Sequence, residues 1–300
     1  FAATLKGLLR TTDGGGAWTS VLPGEVYELL LRPDNPAILY AGVKQKGIAR
    51  SSDTGDTWEY ITQDWVDSLG LVLTDIGRLA FDCCKAQPDV MYATVVKATG
   101  NNLYAMLKSV DGGANWTRIS DPPFNVFNSQ GFYNCDLAVD PVNPNRALVG
   151  GILIYQTLDG GATWTYRSPS HADQHALEFA PSDPKIFYAG HDGGFNRSID
   201  GGSTYDGLVH IMPITQYYDI DVALTNPDII LGGTQDNGSH LGSALSADWK
   251  KVTGSDGAVC NIDRENPGIL YTEMQNGQNH WRSLDSGRTW KSIMTGITGT

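Results

Sequence analysis

A short phrase recurs six times along this chain of 300 residues and constrains its fold more than any other feature. The phrase reads Ser/Thr-x-Asp-x-Gly-x-x-aromatic, as in RTTDGGGAW and RSSDTGDTW. A fixed phrase at intervals of roughly 40 to 60 residues indicates a repeat architecture. Aligning Trp249 with the other terminal aromatics puts Ala244 where a seventh aspartate would stand. The aspartates of the complete copies are Asp13, Asp53, Asp111, Asp159, Asp200 and Asp285.

The chemistry of this phrase predicts a hairpin corner. An Asp side chain accepts hydrogen bonds from backbone amides just after it, and the glycines that follow adopt positive φ without steric cost. The terminal Trp or Tyr begins the next strand and anchors its packing, so losing a buried one should cost about 3–5 kcal/mol. We therefore expect the six aspartates to stabilise turns rather than to contact a ligand.

A second phrase, built around proline, lies between the copies of the first. Alternating apolar runs on both sides of a proline turn predict two antiparallel strands. Adding the two strands that flank each corner gives four strands per repeat, termed A to D in chain order, which is the blade of a β-propeller. The proline phrases are RPDNPAILYAG, DPVNPNRALVGG, PSDPKIFYAG, TNPDIILGG and RENPGILYT, with DCCKAQPDVMYAT as a looser version.

We predict an all-β fold, a β-propeller of four-stranded antiparallel blades, with seven blades in a single domain over residues 1–300. The chain enters at strand B and leaves after strand D, and the alternative to a closed ring is a segment of a longer or tandem-propeller protein. It begins at Phe1, so we expect that a signal was removed or that this is a piece of something longer. The corners are expected at residues 11–18, 51–58, 109–116, 157–164, 198–205, 242–249 and 283–290.

The six corner phrases resemble the Asp-box, or BNR, repeats of sialidases, tandem-propeller xyloglucanases, sortilin-type receptors and photosystem II assembly factors. The resemblance covers essentially the whole chain and implies the propeller fold. It leaves function open, because the family contains both enzymes and binding proteins, and a fold does not fix a function. The resemblance also implies an extracellular, periplasmic or cell-surface location.

The composition narrows the classes of partner. A net charge of −12 argues against nucleic acid, which needs a basic patch, and against an anionic membrane surface. No run approaches the roughly 18 apolar residues needed to span a bilayer. The cysteines show no metal-ligand spacing, and we expect buried thiols, with a bridge from Cys135 to another cysteine as the alternative. The four are Cys83, Cys84, Cys135 and Cys260.

Propeller strands alternate in direction, so the loops divide between two faces. The A–B proline turns and the C–D corners share one face, and the B–C loops and D–A connections share the other. The second face, termed here the rim, gathers the unusual polar residues, and concave surfaces of this kind attract ligands. Two aromatic-bearing inserts, residues 63–77 and 120–132, are expected there too. The polar residues are His171, Asp173, Gln174, His175, His191, Asp192, Asn196, Gln235, Asp236, Asn237, His240, Asp256, Glu273, Gln275 and Asn276.

The carboxylates of the rim suggest glycoside hydrolysis, which uses two carboxyl groups on either side of a glycosidic bond. Asp192, Asp236 and Asp256 are the candidate acid, base or nucleophile. The Asp-Gly-Gly run at Asp192 also resembles loops that hold the acids of tandem-propeller xyloglucanases. In that family the two acids come from two propellers, so a single ring holds at most half of such a site. Sialidases match poorly because the rim offers almost no arginine.

A metal site is a second hypothesis for the rim. His171, Asp173 and His175 alternate along an extended segment, so their side chains would share a face and could ligate a divalent ion together with Asp192. Ca²⁺ at the Asp-rich loops is as plausible as Zn²⁺. The alternative is that these Asp-Gly and Asn-Gly pairs are hairpin turns.

Two functions therefore stay open. The first is a carbohydrate-active propeller, glycoside hydrolase-like or glycan-binding, with Trp65 and the insert at 120–132 as platforms for sugar rings. The second is a non-catalytic interaction or assembly propeller that holds a polypeptide on the same rim. The candidate ligand-binding residues are His171, Asp173, His175, Gln235, Asn237, Glu273 and Trp65.

Overall fold

The structure is a computed structural model that describes residues 1–167, 171–206, 215–246 and 248–297, with the side chains of residues 63 and 64 left aside. The chain divides into two compact units, Phe1–Met212 and Pro213–Thr300. Each is described by itself.

The first unit contains five antiparallel sheets among its described residues, and within each sheet the strands pair in chain order. The first two sheets are β1 Ala2–Thr4, β2 Gly7–Arg10 and β3 Thr19–Pro23, then β4 Val26–Leu31, β5 Leu39–Val43, β6 Gly47–Ser51 and β7 Glu59–Tyr60. The third sheet is β8 Ile76–Cys84, β9 Gln87–Lys97, β10 Leu103–Ser109 and β11 Thr117–Arg118. The last two are β12 Asp136–Val139, β13 Ala147–Gly150, β14 Ile154–Thr157 and β15 Thr165–Arg167, then β16 Gln174–Phe179, β17 Phe187–His191 and β18 Gly194–Ser198.

The second unit contains two further sheets of four strands in its described part. These are β19 Tyr217–Val222, β20 Ile230–Thr234, β21 Gly238–Gly242 and β22 Lys250–Lys251, then β23 Gly257–Ile262, β24 Leu270–Met274, β25 His280–Ser283 and β26 Lys291–Ser292. A short α-helix, α1 Gln63–Val66, and a 3-10 turn at Leu73–Asp75 lie in the first insert, and another 3-10 turn spans Gln275–Gly277. The all-β prediction is confirmed, and seven sheets fit the seven expected blades.

In the four-stranded sheets the repeated phrase lies at the corner between the third and fourth strands. At Asp53 one carboxylate oxygen accepts hydrogen bonds from the Ser51 hydroxyl at 2.8 Å and the Thr57 backbone N–H at 2.9 Å. The other oxygen accepts one from the Thr57 hydroxyl at 2.6 Å. These bonds lower the pKa of Asp53 to about 2. Gly55 takes the left-handed conformation that the corner requires, with φ of 81°. The other complete corners hold their carboxylates in the same way, at Asp13, Asp111, Asp159, Asp200 and Asp285.

Five of the six proline turns are hydrogen-bonded to the corner of their own sheet. The Thr54 amide donates to the Ala37 carbonyl at 2.9 Å, and the Gly112 amide donates to the Asp89 carbonyl at 3.0 Å. Because these bonds join A–B turns to C–D corners, the two loop types do share a face. The same bond joins Gly160 to Asn145, Gly201 to Lys185 and, in the second unit, Ser286 to Gly268.

Carboxylates on the inner strands of the first unit link neighbouring sheets. Asp82 on β8 accepts the backbone N–H of Val139 on β12 at 2.8 Å, and Asp136 on β12 accepts that of Leu177 on β16 at 2.5 Å. Burial raises the pKa of Asp82 to about 6 and that of Asp136 to about 7. Asp219 and Asp221 of the second unit bind the amides of Cys260 and Ile262 in the same way. The sequence analysis did not predict these links.

The four cysteines are buried free thiols, as the spacing led us to expect, so the alternative bridge from Cys135 is not formed. Among the described residues, no helix has both the length and the apolar character needed to cross a membrane.

Candidate functional site

Three segments of the first unit meet on the rim, at the ends of the sheets opposite to the corners. They are the start of β16 with the connection before it, the turn between β17 and β18, and the end of the second insert with the residue after it, Tyr133. His175 comes from the first segment and Asp192 from the second, and His175 Nε2 lies 2.6 Å from Asp192 Oδ1. The Asp192 side chain is 11% exposed and that of His175 is 32% exposed. The ion pair is therefore open to solvent mainly through the imidazole.

Tyr133, from the third segment, completes this group. Its hydroxyl lies 3.4 Å from Asp192 Oδ1, and its ring stands edge-on to His175 with the ring centroids 4.5 Å apart. Phe132 beside it is exposed, and the two rings lie 6.3 Å apart. A contact between residues 59 positions apart in the chain has no local signature, so the sequence did not pair Tyr133 with Asp192. The Asp192–His175–Tyr133 group is the candidate site of this unit.

Asp173 lies directly behind the group. Its carboxylate accepts the Asn134 side-chain amide at 2.6 Å, and its carbonyl accepts the Asp192 backbone N–H at 3.3 Å. Burial and then the neighbouring charge of Asp192 raise the pKa of Asp173. Asp173 also has φ of 62°, an uncommon conformation for a non-glycine residue and one that clusters at functional sites.

His171 and His191 stack beside Asp173, with ring centroids 5.5 Å apart and planes 15° apart. The Asn196 amide donates to the Asp206 carbonyl, so its oxygen faces His191, and His191 Nε2 donates to that oxygen at 2.7 Å. Burial lowers the pKa of His191, which favours the neutral ring. This stacked pair fixes the turn that carries Asp192.

The structure does not support the predicted metal site. His171 Nδ1 lies 3.0 Å from the Ala172 carbonyl, Asp173 is bound by Asn134, and His175 is bound by Asp192, so the three side chains go to different partners. Across the described ranges, no three His, Cys, Asp or Glu side chains are grouped to hold a metal ion. The alternation of His171, Asp173 and His175 does not put their side chains on one face, because the positive φ of Asp173 interrupts the extended backbone.

The predicted residues of the second unit form a separate group. Asp256 Oδ1 accepts the backbone N–H of Asp236 at 2.6 Å, and Asp256's own N–H donates to Gln275 Oε1 at 3.1 Å. The Asn237 amide donates to the Gln235 carbonyl at 2.7 Å. Asp256 thus stabilises the turn at residues 235–237, a structural role that competes with the predicted catalytic one.

Two other contacts of the second unit concern polar residues of the rim. Glu273 Oε2 lies 3.1 Å from His280 Nδ1, so this predicted ligand residue is in contact with a histidine of its own sheet. Exposed Tyr218, which the sequence analysis did not single out, lies close enough to Asp256 and Asp236 for their charges to raise its pKa, after a larger effect of burial.

The aromatic platforms are only partly where they were predicted. Trp65 is 2% exposed and packs on Trp116 with ring centroids 6.0 Å apart, so it offers no face to a sugar. That prediction is wrong, because the first insert folds its tryptophan inwards. In the second insert Phe127 is buried, whereas Phe124 and Phe132 are exposed.

No protein-family model matches this chain. It is similar to a xyloglucanase of a Paenibacillus species, 27% identical in an alignment 237 residues long that covers 66% of this chain and 23% of the relative. It is 23% identical over 282 residues to xyloglucanase Xgh74A of Acetivibrio thermocellus, covering 82% of this chain and 28% of that enzyme. The chain thus spans less than a third of the length of either curated relative.

A solved structure shows the fold. The crystal structure of the Niastella koreensis GH74 enzyme superimposes with a TM-score of 0.69 at 18% identity, over 98% of this chain and 48% of that one. The described sheets are therefore blades of a β-propeller.

Proposed function

We propose that this chain is a carbohydrate-active propeller that binds a neutral β-glucan of the xyloglucan class on the rim, beside Asp192 and His175. The observation that carries the proposal is the Asp192–His175 ion pair with Tyr133 and exposed Phe132 next to it. Aromatic rings offer flat apolar faces to sugar rings, and the carboxylate and imidazole offer hydrogen bonds to hydroxyl groups. The similarity to proteins named xyloglucanases supports the same substrate class.

Asp192 is the carboxylate that we propose for chemistry. Hydrolysis of a glycosidic bond needs one carboxyl group as acid and a second as base or nucleophile. Asp192 Oδ1 lies 2.6 Å from His175 Nε2, so the imidazole fixes the orientation of this carboxylate. Within the second unit, Asp236 stays a candidate carboxylate for chemistry, and Asp256 is a weaker one because its Oδ1 already holds a turn. A polysaccharide substrate would place the protein outside the cytoplasm.

Binding and hydrolysis of xyloglucan oligosaccharides test this proposal directly. Calorimetry gives the affinity and reducing-end release gives the rate, for the wild type and for Asp192→Asn. We expect Asp192→Asn to abolish hydrolysis and to weaken binding about tenfold, or about 1.4 kcal/mol. Asp183→Asn is the matched control, because Asp183 lies on a proline turn and its Oδ1 only accepts the Lys185 amide.

The outcomes separate the two functions. Binding without hydrolysis by the wild type leaves a glycan-binding propeller. No binding of any β-glucan, or equal losses in both variants, contradicts the proposal. In that case the exposed apolar side chains of Phe124 and Phe132 favour the second candidate, a polypeptide partner, since apolar and aromatic residues are enriched in the cores of protein interfaces.

A further inference from the structure

Arg78 connects the inner strand β8 to the candidate site. Its Nη1 donates to the carbonyl oxygen of Tyr133 at 2.8 Å and to that of Phe132 at 3.4 Å. These two carbonyls belong to the end of the second insert, 54 and 55 residues further along the chain. One guanidinium therefore fixes the backbone from which both rim aromatics project.

Tyr133 connects this anchored backbone to Asp192 and His175. Its ring stands edge-on to His175 at 4.5 Å, and its hydroxyl lies 3.4 Å from the Asp192 oxygen that His175 binds. A shift of the Tyr133 backbone would move the ring and open one side of the His175 imidazole. The hydrogen bonds of Arg78 go to the backbone of the insert, and Tyr133 carries the contacts to His175 and Asp192.

The surroundings of Arg78 keep the guanidinium in place. The carboxyl groups of Glu28 on β4 and Asp136 on β12 lie near enough for the charge of Arg78 to lower their pKa, against the larger raising effect of burial. Arg78 Nε is buried and has no hydrogen-bond acceptor in the described part of the chain. The side chain thus leaves one of its own donors unsatisfied while it holds two carbonyls of the insert, an arrangement that costs free energy.

We propose that Arg78 is a positioning residue for the rim site, setting the place of Tyr133 and, through it, the His175 imidazole that binds Asp192. The proposal deepens the glycan function and rests on it for its consequence in binding. A lysine would not replace the arginine fully, because an ammonium is a point charge without the planar fork of donors.

The first measurement needs no glycan. The imidazole ¹H–¹⁵N correlations of the free protein, with His175 assigned through His175→Gln, are compared in the wild type, Arg78→Met and Arg78→Lys. We expect the His175 signals to shift and broaden in Arg78→Met and to shift less in Arg78→Lys. Arg50→Met is the control, because the Arg50 guanidinium pairs instead with Glu59 at 3.5 Å, between β6 and β7.

The second measurement is a double-mutant cycle on glycan affinity, with Arg78→Met, Tyr133→Ala and both together. Misplacing a site residue by about 1 Å can cost about a hundredfold in catalytic rate, and we take this factor as the upper bound for the loss of affinity. We expect Arg78→Met to weaken affinity about 10- to 100-fold, and the double variant to be no weaker than Tyr133→Ala. Residues that act through one another give such non-additive changes, whereas independent residues give additive ones.

Each result decides the matter. His175 signals that move no more in Arg78→Met than in Arg50→Met, or additive losses, overturn the positioning role and leave Arg78 a stabilising residue. If Arg78→Met does not fold, Arg78→Lys is read by the same signals. If Arg78→Met shifts the His175 signals but the wild type binds no glycan, the glycan function is contradicted and the positioning role stands.

Discussion

Gly193 lies against the ring of His171, so closely that a Cβ added at Gly193 would fall 2.5 Å from His171 Cγ. No real side chain fits at that distance, and the clash would push the ring away from His191. The glycine after Asp192 is thus set by packing against the stacked histidines.

Gly193→Ala is therefore expected to destabilise the protein by about 1–3 kcal/mol, the usual cost of overpacking, and to weaken glycan binding at Asp192. Urea unfolding and calorimetry measure the two effects. Gly190→Ala is the matched control, because a Cβ there meets Ala176 Cβ at an ordinary 3.6 Å. Equal effects of the two substitutions would contradict this account.

The corner tryptophans are expected to differ in their importance. Trp116 is 3% exposed and donates its indole N–H to the Gly113 carbonyl at 3.0 Å, whereas Trp18 in the same place of the first corner is 46% exposed. Trp116→Ala should lower the free energy of unfolding by about 3–5 kcal/mol. Trp18→Ala should cost less than about 1 kcal/mol. Urea unfolding of both variants measures the difference. Comparable losses in the free energy of unfolding would contradict burial as its cause.

The stability of the protein should decrease as pH rises from 5 to 8. Burial raises the pKa of Glu28 from 4.5 to about 8, and those of Asp136 and Asp82 from 3.8 to about 7 and about 6. In this range the unfolded chain has already lost these protons while the folded protein still holds them, so each rise in pH favours unfolding.

Urea unfolding at constant ionic strength between pH 5 and 8 measures this dependence. Glu28→Gln should make the free energy of unfolding less dependent on pH at the upper end of this range, since a glutamine does not titrate. Glu265→Gln, at an exposed turn, should leave the slope unchanged. A curve that rises with pH in this range would contradict the assignment.

Phe132 is expected to contribute to glycan affinity and not to stability. Phe132→Ala removes an exposed ring beside Tyr133, and a stacked aromatic is worth about 1 kcal/mol, or roughly fivefold in affinity. Val142→Ala, an exposed apolar residue on a proline turn, is the control. Unfolding midpoints should be unchanged in both, and a lower midpoint for Phe132→Ala would show a packing role instead.

Local chemistry made the corners predictable. A Ser/Thr, an Asp and a glycine within five residues hold most of the bonds that close the turn, so Asp53 and its equivalents could be assigned from the sequence. Topology alone then placed Asp192 and His175 at the same end of one sheet, because His175 lies at the start of β16 and Asp192 in the turn between β17 and β18.

Contacts between distant segments could not be predicted in this way. The bonds of Arg78 to Tyr133 and of Asp82 to Val139 join residues more than 50 positions apart and have no repeat signature. Trp65 was misread because an insert can turn an aromatic inwards or outwards, and only its packing against Trp116 decides which.

The inner-strand carboxylates have a consequence for solubility. The edge strand of a sheet offers unpaired N–H groups to which another chain can add, and this is a route to aggregation. Asp82 and Asp136 occupy the N–H groups of Val139 and Leu177 on two such edges. They also place buried carboxyl groups where an incoming strand would have to lie. The chain therefore protects these edges against strand addition with its own side chains.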